Sequence, residues 1–308
     1  MKKITLVGAG RVGESAAQIL AKEEMCRDIM LIDVREGVPE GTALDLQECG
    51  PLFNFDTKIS GATALSAMAG SDVIIVSAGI PRKPGMSRSD VLEANVPVIR
   101  SIVEEAKRSA PNAMLLMVTN PVDVLTYLAW KHSGWDRNRV FGLSGVLDAA
   151  RMAGFVAMET GLSVKGLTTL VIGGHGDTMV PLPRFSTVNG VPIDQFLTPE
   201  KIARIAERTR GGGAEILALK KNSSAYDAPG AAVAAMVDAV NRNRKRLMPC
   251  VAVLDGEYGE HGISMGVPVV LGERGVERIV ELPLNAAERA ELARSAAAIR
   301  ADIEKLRV

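Results

Sequence analysis

The sequence predicts an α/β protein whose first half is a doubly wound parallel sheet and whose second half is an α+β domain. Short apolar runs, typical of parallel strands covered on both faces, alternate with helical stretches as far as about Ser144. Beyond that point, mixed strands and two long amphipathic helices replace the alternation. The chain has 308 residues, enough for two domains, and we expect these to span 1–142 and 143–308.

The predicted elements of the first half follow one another in strand–helix order. Strands are expected at 4–7, 29–32, 73–76 and 114–118, and helices over 16–20 and 89–108. In the second half we expect a helix over 148–159, a strand over 167–172, and helices over 199–221 and 285–308. No repeat or low-complexity linker separates the halves, so we expect them to pack together.

Composition argues against several classes of protein. Thirty-six basic residues balance 36 acidic ones, and a nucleic-acid partner is therefore not expected. Cys26, Cys49 and Cys250 are far apart and odd in number, which predicts neither a disulfide scaffold nor a metal site, and favours a reducing, cytoplasmic location. No apolar run reaches the roughly 18 residues of a membrane helix. Arg11 and Glu14 interrupt the apolar start, so no export signal is predicted.

A glycine-rich motif follows the first predicted strand and opens the first predicted helix. Gly8, Gly10 and Gly13 form G-x-G-x-x-G, whose glycines allow a tight turn, close approach to a pyrophosphate and close helix packing. Asp33 ends the second strand about 20 residues later, where an acid binds the ribose hydroxyls of NAD and repels a 2′-phosphate. This pattern predicts a Rossmann-type NAD site, although Arg35 lies nearby. The alternative is an ordinary glycine turn.

A cationic loop follows the third predicted strand. Residues 80–88 contain Arg82, Lys83 and Arg88 at the carboxyl end of a strand, where ligands bind in such sheets. Beside a dinucleotide site, these charges favour an anionic substrate; the alternative is a solvated basic loop. Asn120 is expected at the same edge of the sheet, where it would present an amide group to a ligand. The alternative is that it is only a turn residue before Pro121.

Three residues of the second half form a candidate acid–base group. Asp148 and Arg151 are three positions apart on one helix face, which also describes an ordinary surface ion pair. His175 lies between glycines, so its imidazole is accessible to a ligand and suited to proton transfer near neutral pH. His132 and His261 have no such surroundings.

Five motifs in one order make the whole chain resemble the lactate/malate dehydrogenase family, and within it the malate dehydrogenases of lactate-dehydrogenase-like type. They are 8–13, 82–88, 120–123, 147–151 and 174–177. Residues 285–308 match only as a generic amphipathic helix. The resemblance implies that His175 is the proton donor and acceptor, and that Asp148 orients it. Arg151 would hold the substrate's C1 carboxylate.

The resemblance implies further roles around the substrate and the cofactor. Asn120 would hydrogen-bond the substrate oxygen, and Arg88 would polarise the carbonyl beneath a closing loop. Arg82 would pair with the distal carboxylate of malate or oxaloacetate, where lactate dehydrogenases have glutamine. NAD would be contacted by Asn95, Val118 and Asn120 as well as by the glycine motif and Asp33.

The resemblance also implies a homodimer or homotetramer, and a place in the tricarboxylic acid cycle. Three alternatives stay open: a dehydrogenase for lactate or another 2-hydroxy acid, a non-catalytic NAD-binding protein, and a structural oligomer subunit. The small-molecule dehydrogenase is the interpretation that the intact His175, Asp148 and Arg151 favour.

Overall fold

The computed structural model describes residues 1–80 and 88–306, with Arg88 described in its main chain only. The strands of the first half are β1 (Lys3–Val7), β2 (Asp28–Ile32), β3 (Lys58–Ala62), β4 (Val73–Val76), β5 (Met114–Met117) and β6 (Val140–Gly142). Its helices are α1 (Arg11–Lys22), α2 (Val38–Glu48), α3 (Gly50–Phe53), α4 (Arg88–Ser109) and α5 (Val122–Ser133).

The second half begins with a helix and then mixes both kinds of element. Its strands are β7 (Leu167–Thr168), β8 (Val171–Gly173), β9 (Met179–Pro181), β10 (Thr187–Val188), β11 (Val191–Pro192), β12 (Arg246–Asp255), β13 (His261–Gly272) and β14 (Gly275–Ile279). Its helices are α6 (Gly145–Thr160), α7 (Pro199–Lys220), α8 (Asp227–Asn241) and α9 (Ala286–Ile303).

The main sheet confirms the predicted fold class. Strands β3, β2, β1, β4, β5 and β6 lie in that order and are parallel, so the winding reverses between β1 and β4. The sheet then continues through antiparallel β12, β13, β8 and β9, with β14 beside β13. Because ligands bind where such a sheet reverses, the carboxyl ends of β1 and β4 mark the expected site.

Strand β4 shows why the parallel strands are apolar throughout. All four of its residues are at most 1% exposed. Val73 and Ile75 pack into the hydrophobic core on one face of the sheet, whereas Ile74 and Val76 pack into the core on the other face. A strand with helices on both faces has no polar side, so it shows no alternation in the sequence.

The predicted strand over 167–172 is two strands in different sheets. Strand β7 pairs with β10 in a three-stranded sheet that also contains β11, whereas β8 pairs with β9 and β13 in the main sheet. Between the two strands, the hydroxyl of Thr169 donates to the carbonyl of Ala149 at 2.6 Å. This hydrogen bond joins the segment that links β7 and β8 to α6. The change of sheet coincides with Thr168 and Thr169, the two polar residues that interrupt the apolar pattern.

Helix α8 joins the two halves by close packing on α1. A Cβ atom at Gly230 would lie 2.5 Å from Oγ of Ser15, so the helices approach more closely there than a side chain would allow. Gly142 of β6 is also in register with Val251 of β12, which makes one sheet of both halves. Within the described ranges, every helix is either too short or too polar to pass through a bilayer.

Candidate active site

The glycine motif forms the turn between β1 and α1. Gly8 has φ of +111°, and a Cβ atom there would lie 2.6 Å from the main-chain nitrogen of Ala78. A Cβ atom at Gly13 would lie 2.0 Å from the carbonyl oxygen of Gly8. The fold itself therefore requires glycine at both positions.

Gly10 differs, because a Cβ atom there would meet nothing within 4 Å among the described residues. Gly10 is also the N-cap residue of α1 and has no side chain to cap the helix. The first N–H groups of α1 have no acceptor among the described residues, and together with the positive end of the helix dipole they fit the pyrophosphate of a dinucleotide.

Asp33 lies at the end of β2 beside this turn, and its side chain is 11% exposed. Its Oδ2 atom accepts a hydrogen bond from the main-chain N–H of Ala9 at 3.0 Å. Arg35 donates from Nε to Oδ1 and from Nη2 to Oδ2, both at 2.9 Å. The Arg35 guanidinium holds the pKa of Asp33 below its ordinary value. The expected ribose-binding carboxylate is thus ionised and next to the glycine turn.

The ends of β4 and β5 are joined by Asn95 of α4. Its buried amide accepts from the main-chain N–H of Ile80 at 2.7 Å, and donates to the carbonyls of Ile80 and Asn120 at 3.3 and 3.2 Å. Asn120 itself is exposed at this rim, with a cis peptide bond to Pro121. Val118 is half-buried, and its main-chain N–H pairs with β4. The predicted contacts of Asn95, Val118 and Asn120 with the cofactor stay predictions.

His175, Asp148 and Arg151 form one cluster around the buried carboxylate of Asp148. Nδ1 of His175 lies 2.8 Å from Oδ2 of Asp148, and Nη1 of Arg151 donates to Oδ1 of Asp148 at 2.9 Å. Helix α6 presents Asp148 and Arg151 on one face, and His175 follows β8 in the turn toward β9. The Asp148 side chain is 1% exposed, so this ion pair lies inside the protein and not on its surface.

Burial and charge act in opposite directions on His175. Burial lowers the pKa of the imidazole, but the carboxylates of Asp148 and Asp123 outweigh it and leave that pKa above its ordinary value. Protonated His175 is thereby stabilised near neutral pH, as a group that donates a proton requires.

Two residues that hold this histidine were not recognised from the sequence. Asp123, fully buried on α5, accepts the main-chain N–H of His175 at 2.8 Å. Ser295 of α9 accepts the main-chain N–H of Gly174 at 2.7 Å. Asp123 belongs to the motif 120–123, which could have drawn attention to it. Ser295 stands in an alanine-rich helix, and no sequence signal distinguished it.

Other predicted residues lie elsewhere or outside the described part. Arg82 falls outside the described residues, and Arg88 begins α4 but its side chain is not described. His132 pairs with Glu104 at 2.8 Å, and exposed His261 lies 3.3 Å from Asp255. Among the described residues, no group of three or more His, Cys, Asp or Glu side chains could hold a metal ion.

Two family models together match almost the whole chain. The model of the lactate/malate dehydrogenase NAD binding domain matches residues 2–142, and that of the alpha/beta C-terminal domain of the same family matches residues 145–307. The chain belongs to the lactate/malate dehydrogenase family. The resemblance predicted from the five motifs is therefore confirmed.

Similar proteins include both malate dehydrogenases and a lactate dehydrogenase. A malate dehydrogenase of Thioalkalivibrio sulfidiphilus is 60% identical over the full length of both chains. The solved malate dehydrogenase of Salinibacter ruber is 41% identical with a TM-score of 0.94, covering 99% of this chain and 97% of its own. The lactate dehydrogenase of Cryptosporidium parvum, solved with lactic acid and nicotinamide adenine dinucleotide, is 37% identical. It has a TM-score of 0.94, and the match covers 98% of this chain and 97% of its own.

Proposed function

We propose that this chain is an NAD-dependent malate dehydrogenase that interconverts malate and oxaloacetate. The cluster of His175, Asp148 and Arg151 carries the proposal, because it combines a proton-transfer group with a guanidinium suited to a carboxylate. Bound NADH supplies the hydride that reduces C2 of a 2-oxo acid, and bound NAD⁺ accepts it in the reverse direction. The protein's own residues supply the proton, the orientation and the specificity.

His175 exchanges the proton through Nε2. Its Nδ1 atom is engaged by Asp148, which fixes the ring and the tautomer and leaves Nε2 for the substrate. During reduction, protonated His175 donates to the oxygen on C2. During oxidation, neutral His175 removes the hydroxyl proton, and the Asp148 carboxylate stabilises the imidazolium that forms.

Arg151 is suited to the C1 carboxylate of the substrate. Only Nη1 of its guanidinium donates to Asp148, and its buried Nε makes no hydrogen bond among the described residues. A buried donor without a partner is costly, so a ligand acceptor is expected opposite it. A substrate carboxylate supplies two oxygens in the geometry of the guanidinium fork.

Arg82 supports malate over lactate as the substrate. The structural similarity to the lactate dehydrogenase of Cryptosporidium parvum and to the malate dehydrogenase of Salinibacter ruber is equal, with TM-scores of 0.94. The fold therefore does not distinguish the two activities. An arginine at this position offers a partner to a second carboxylate, which oxaloacetate has and pyruvate lacks.

Steady-state oxidation of NADH with oxaloacetate and pyruvate side by side tests the proposal. A strong preference for oxaloacetate is expected. Similar rates with both would favour a broader 2-hydroxy acid dehydrogenase. Binding of NADH without turnover of any 2-oxo acid would favour the non-catalytic alternative.

The proposal extends to assembly and cellular role. It includes a homodimer or homotetramer, the cytoplasm, the tricarboxylic acid cycle, and separate cofactor and catalytic domains at 1–142 and 143–308. An interface between copies would also bury exposed apolar side chains such as Leu44 on α2 and Met158 on α6. Light scattering after size-exclusion chromatography measures the oligomeric state.

A further inference from the structure

The carboxylate of Asp33 is already saturated with hydrogen bonds. Its Oδ1 atom accepts from the main-chain N–H and the Nε of Arg35, at 3.1 and 2.9 Å. Its Oδ2 atom accepts from Ala9 and from Nη2 of Arg35, at 3.0 and 2.9 Å. A carboxylate offers about four lone-pair sites, and these contacts use all of them. The hydroxyls of an adenosine ribose can bind Asp33 only after the Arg35 side chain moves away.

Arg35 presents the donors that Asp33 does not use. A guanidinium carries five N–H groups, and two are given to Asp33, so three are left for another partner. The Arg35 side chain is 58% exposed, and the described residues supply no further acceptor to it. The pair therefore presents a neutralised acid and an outward-facing cation where the ribose of a dinucleotide is expected.

An acid at this position normally excludes a 2′-phosphate because it binds the ribose hydroxyls and because its charge repels the phosphate. The contacts with Arg35 oppose both effects. The negative charge of Asp33 is compensated by Arg35, so its repulsion is weakened, and the free N–H groups match the oxygens of a phosphate. We propose that Arg35 determines cofactor specificity and allows this enzyme to use NADPH as a second reductant, by binding its 2′-phosphate. In that reaction C2 of the 2-oxo acid gains a hydride and its oxygen gains the proton of His175, while NADPH becomes NADP⁺.

The inference rests on the proposed dehydrogenase function, but its primary test is binding and not turnover. NADH and NADPH are titrated separately into the full-length protein, and the change in nicotinamide fluorescence gives each Kd. In Arg35→Ala, NADPH should bind about tenfold more weakly or worse, because a charged pair is lost. NADH should bind about threefold more tightly, because the carboxylate of Asp33 is released for the ribose.

Two further variants separate specific binding from general electrostatics. Arg35→Lys keeps the charge but lacks the planar fork, so its affinity for NADPH should lie between those of the wild type and Arg35→Ala. Arg27→Ala removes the same charge from an exposed arginine just before β2, at the opposite end of that strand. It should leave the ratio of the two Kd values unchanged. The thermal midpoint of each variant verifies that it is folded.

The outcomes distinguish this inference from the proposed function. If Arg35→Ala leaves the ratio of Kd values unchanged, or if Arg27→Ala shifts it as much, the role of Arg35 is refuted. Steady-state kcat/KM with oxaloacetate and each cofactor is measured in parallel. A shifted binding ratio without turnover would refute the dehydrogenase and support Arg35. Turnover with an unshifted binding ratio would support the dehydrogenase and refute the role of Arg35. If neither cofactor bound, both proposals would be refuted.

Discussion

The carboxylate of Asp123 accepts the main-chain N–H of His175 at 2.8 Å. The carboxylate of Asp148 contacts the imidazole of the same residue, also at 2.8 Å. Two buried acids from different helices therefore fix one histidine, one through its main chain and the other through its ring. Both carboxylates also favour the protonated form of His175. The same two acids therefore determine the position of this residue and its affinity for a proton.

Asp148→Asn should reduce activity and shift its pH dependence. The amide keeps the shape of the side chain but removes the charge that raises the pKa of His175. We expect kcat for oxaloacetate reduction to fall by about 10²- to 10⁴-fold. Reduction needs protonated His175, so kcat/KM declines as pH rises through the pKa of His175. In the variant this decline should move to lower pH, which a pH profile of kcat/KM measures.

Asp194→Asn is the matched control for this prediction. Asp194 is exposed and contacts Gln195, far from His175 in the sequence. Its pH profile should coincide with that of the wild type. An unshifted decline in Asp148→Asn would contradict the role assigned to Asp148.

Two substitutions in the glycine motif should separate cofactor binding from folding. Gly10→Ala adds a methyl group in open space, so the free energy of unfolding should change by less than about 1 kcal/mol. The same methyl group should obstruct a pyrophosphate and weaken NADH binding. Gly13→Ala should destabilise the fold by about 3 kcal/mol or more, because its Cβ atom would meet the Gly8 carbonyl at 2.0 Å.

Denaturant unfolding and fluorescence titration with NADH measure these two effects. If both variants lost stability equally, the distinction between Gly10 and Gly13 would be wrong. If Gly10→Ala bound NADH as tightly as the wild type, the pyrophosphate would not approach this residue.

The sequence predicted features that local pattern determines. Strand β4 was predicted at its observed bounds, because an apolar run of four residues between turn residues has few alternatives. Asp148 and Arg151 were placed on one helix face by their spacing alone. Helix α8 was missed because it is apolar nearly all round: it packs between α1 and the rest of the protein, and so lacks the amphipathic pattern.

Long-range contacts could not be predicted in this way. Ser295 lies 121 positions from Gly174, and only the packing of α9 beside β8 and β9 brings them together. The pairing of Asp33 with Arg35 was also invisible, because neighbours in sequence need not bond, and the geometry of the turn after β2 decides it. Sequence reasoning thus predicted candidate reacting groups, but not the residues that contact them.

Arg82→Gln should change substrate preference. Removing the cation would leave the distal carboxylate of oxaloacetate without its proposed partner, whereas pyruvate has no such group. A charged hydrogen bond lost in a closed site costs about 2–5 kcal/mol, which is roughly 30- to 4000-fold. We expect kcat/KM for oxaloacetate to fall by such a factor, and that for pyruvate to fall far less.

Lys83→Gln removes one positive charge from the adjacent position in the sequence. It should leave the ratio of kcat/KM for oxaloacetate over pyruvate unchanged. Equal losses for both substrates in Arg82→Gln would refute the specificity argument, and an equal change of ratio in Lys83→Gln would reduce it to general attraction of anions.

Ser295→Ala should lower kcat although Ser295 is not among the proposed substrate-binding residues. The substitution removes the acceptor of the Gly174 N–H and leaves a buried donor unpaired, at a cost of about 1–3 kcal/mol in the free energy of unfolding. Because His175 follows Gly174, the imidazole should be less well placed, and we expect kcat to fall by about tenfold with KM little changed. Steady-state kinetics and denaturant unfolding measure the two effects.

Arg294→Ala controls for changes in α9 itself, because Arg294 is exposed on the same helix beside Ser295. It should retain both kcat and stability. If Ser295→Ala lost stability while kcat stayed at the wild-type value, Ser295 would support the fold without positioning His175. If kcat falls and KM holds, helix α9 contributes to catalysis through a single hydroxyl.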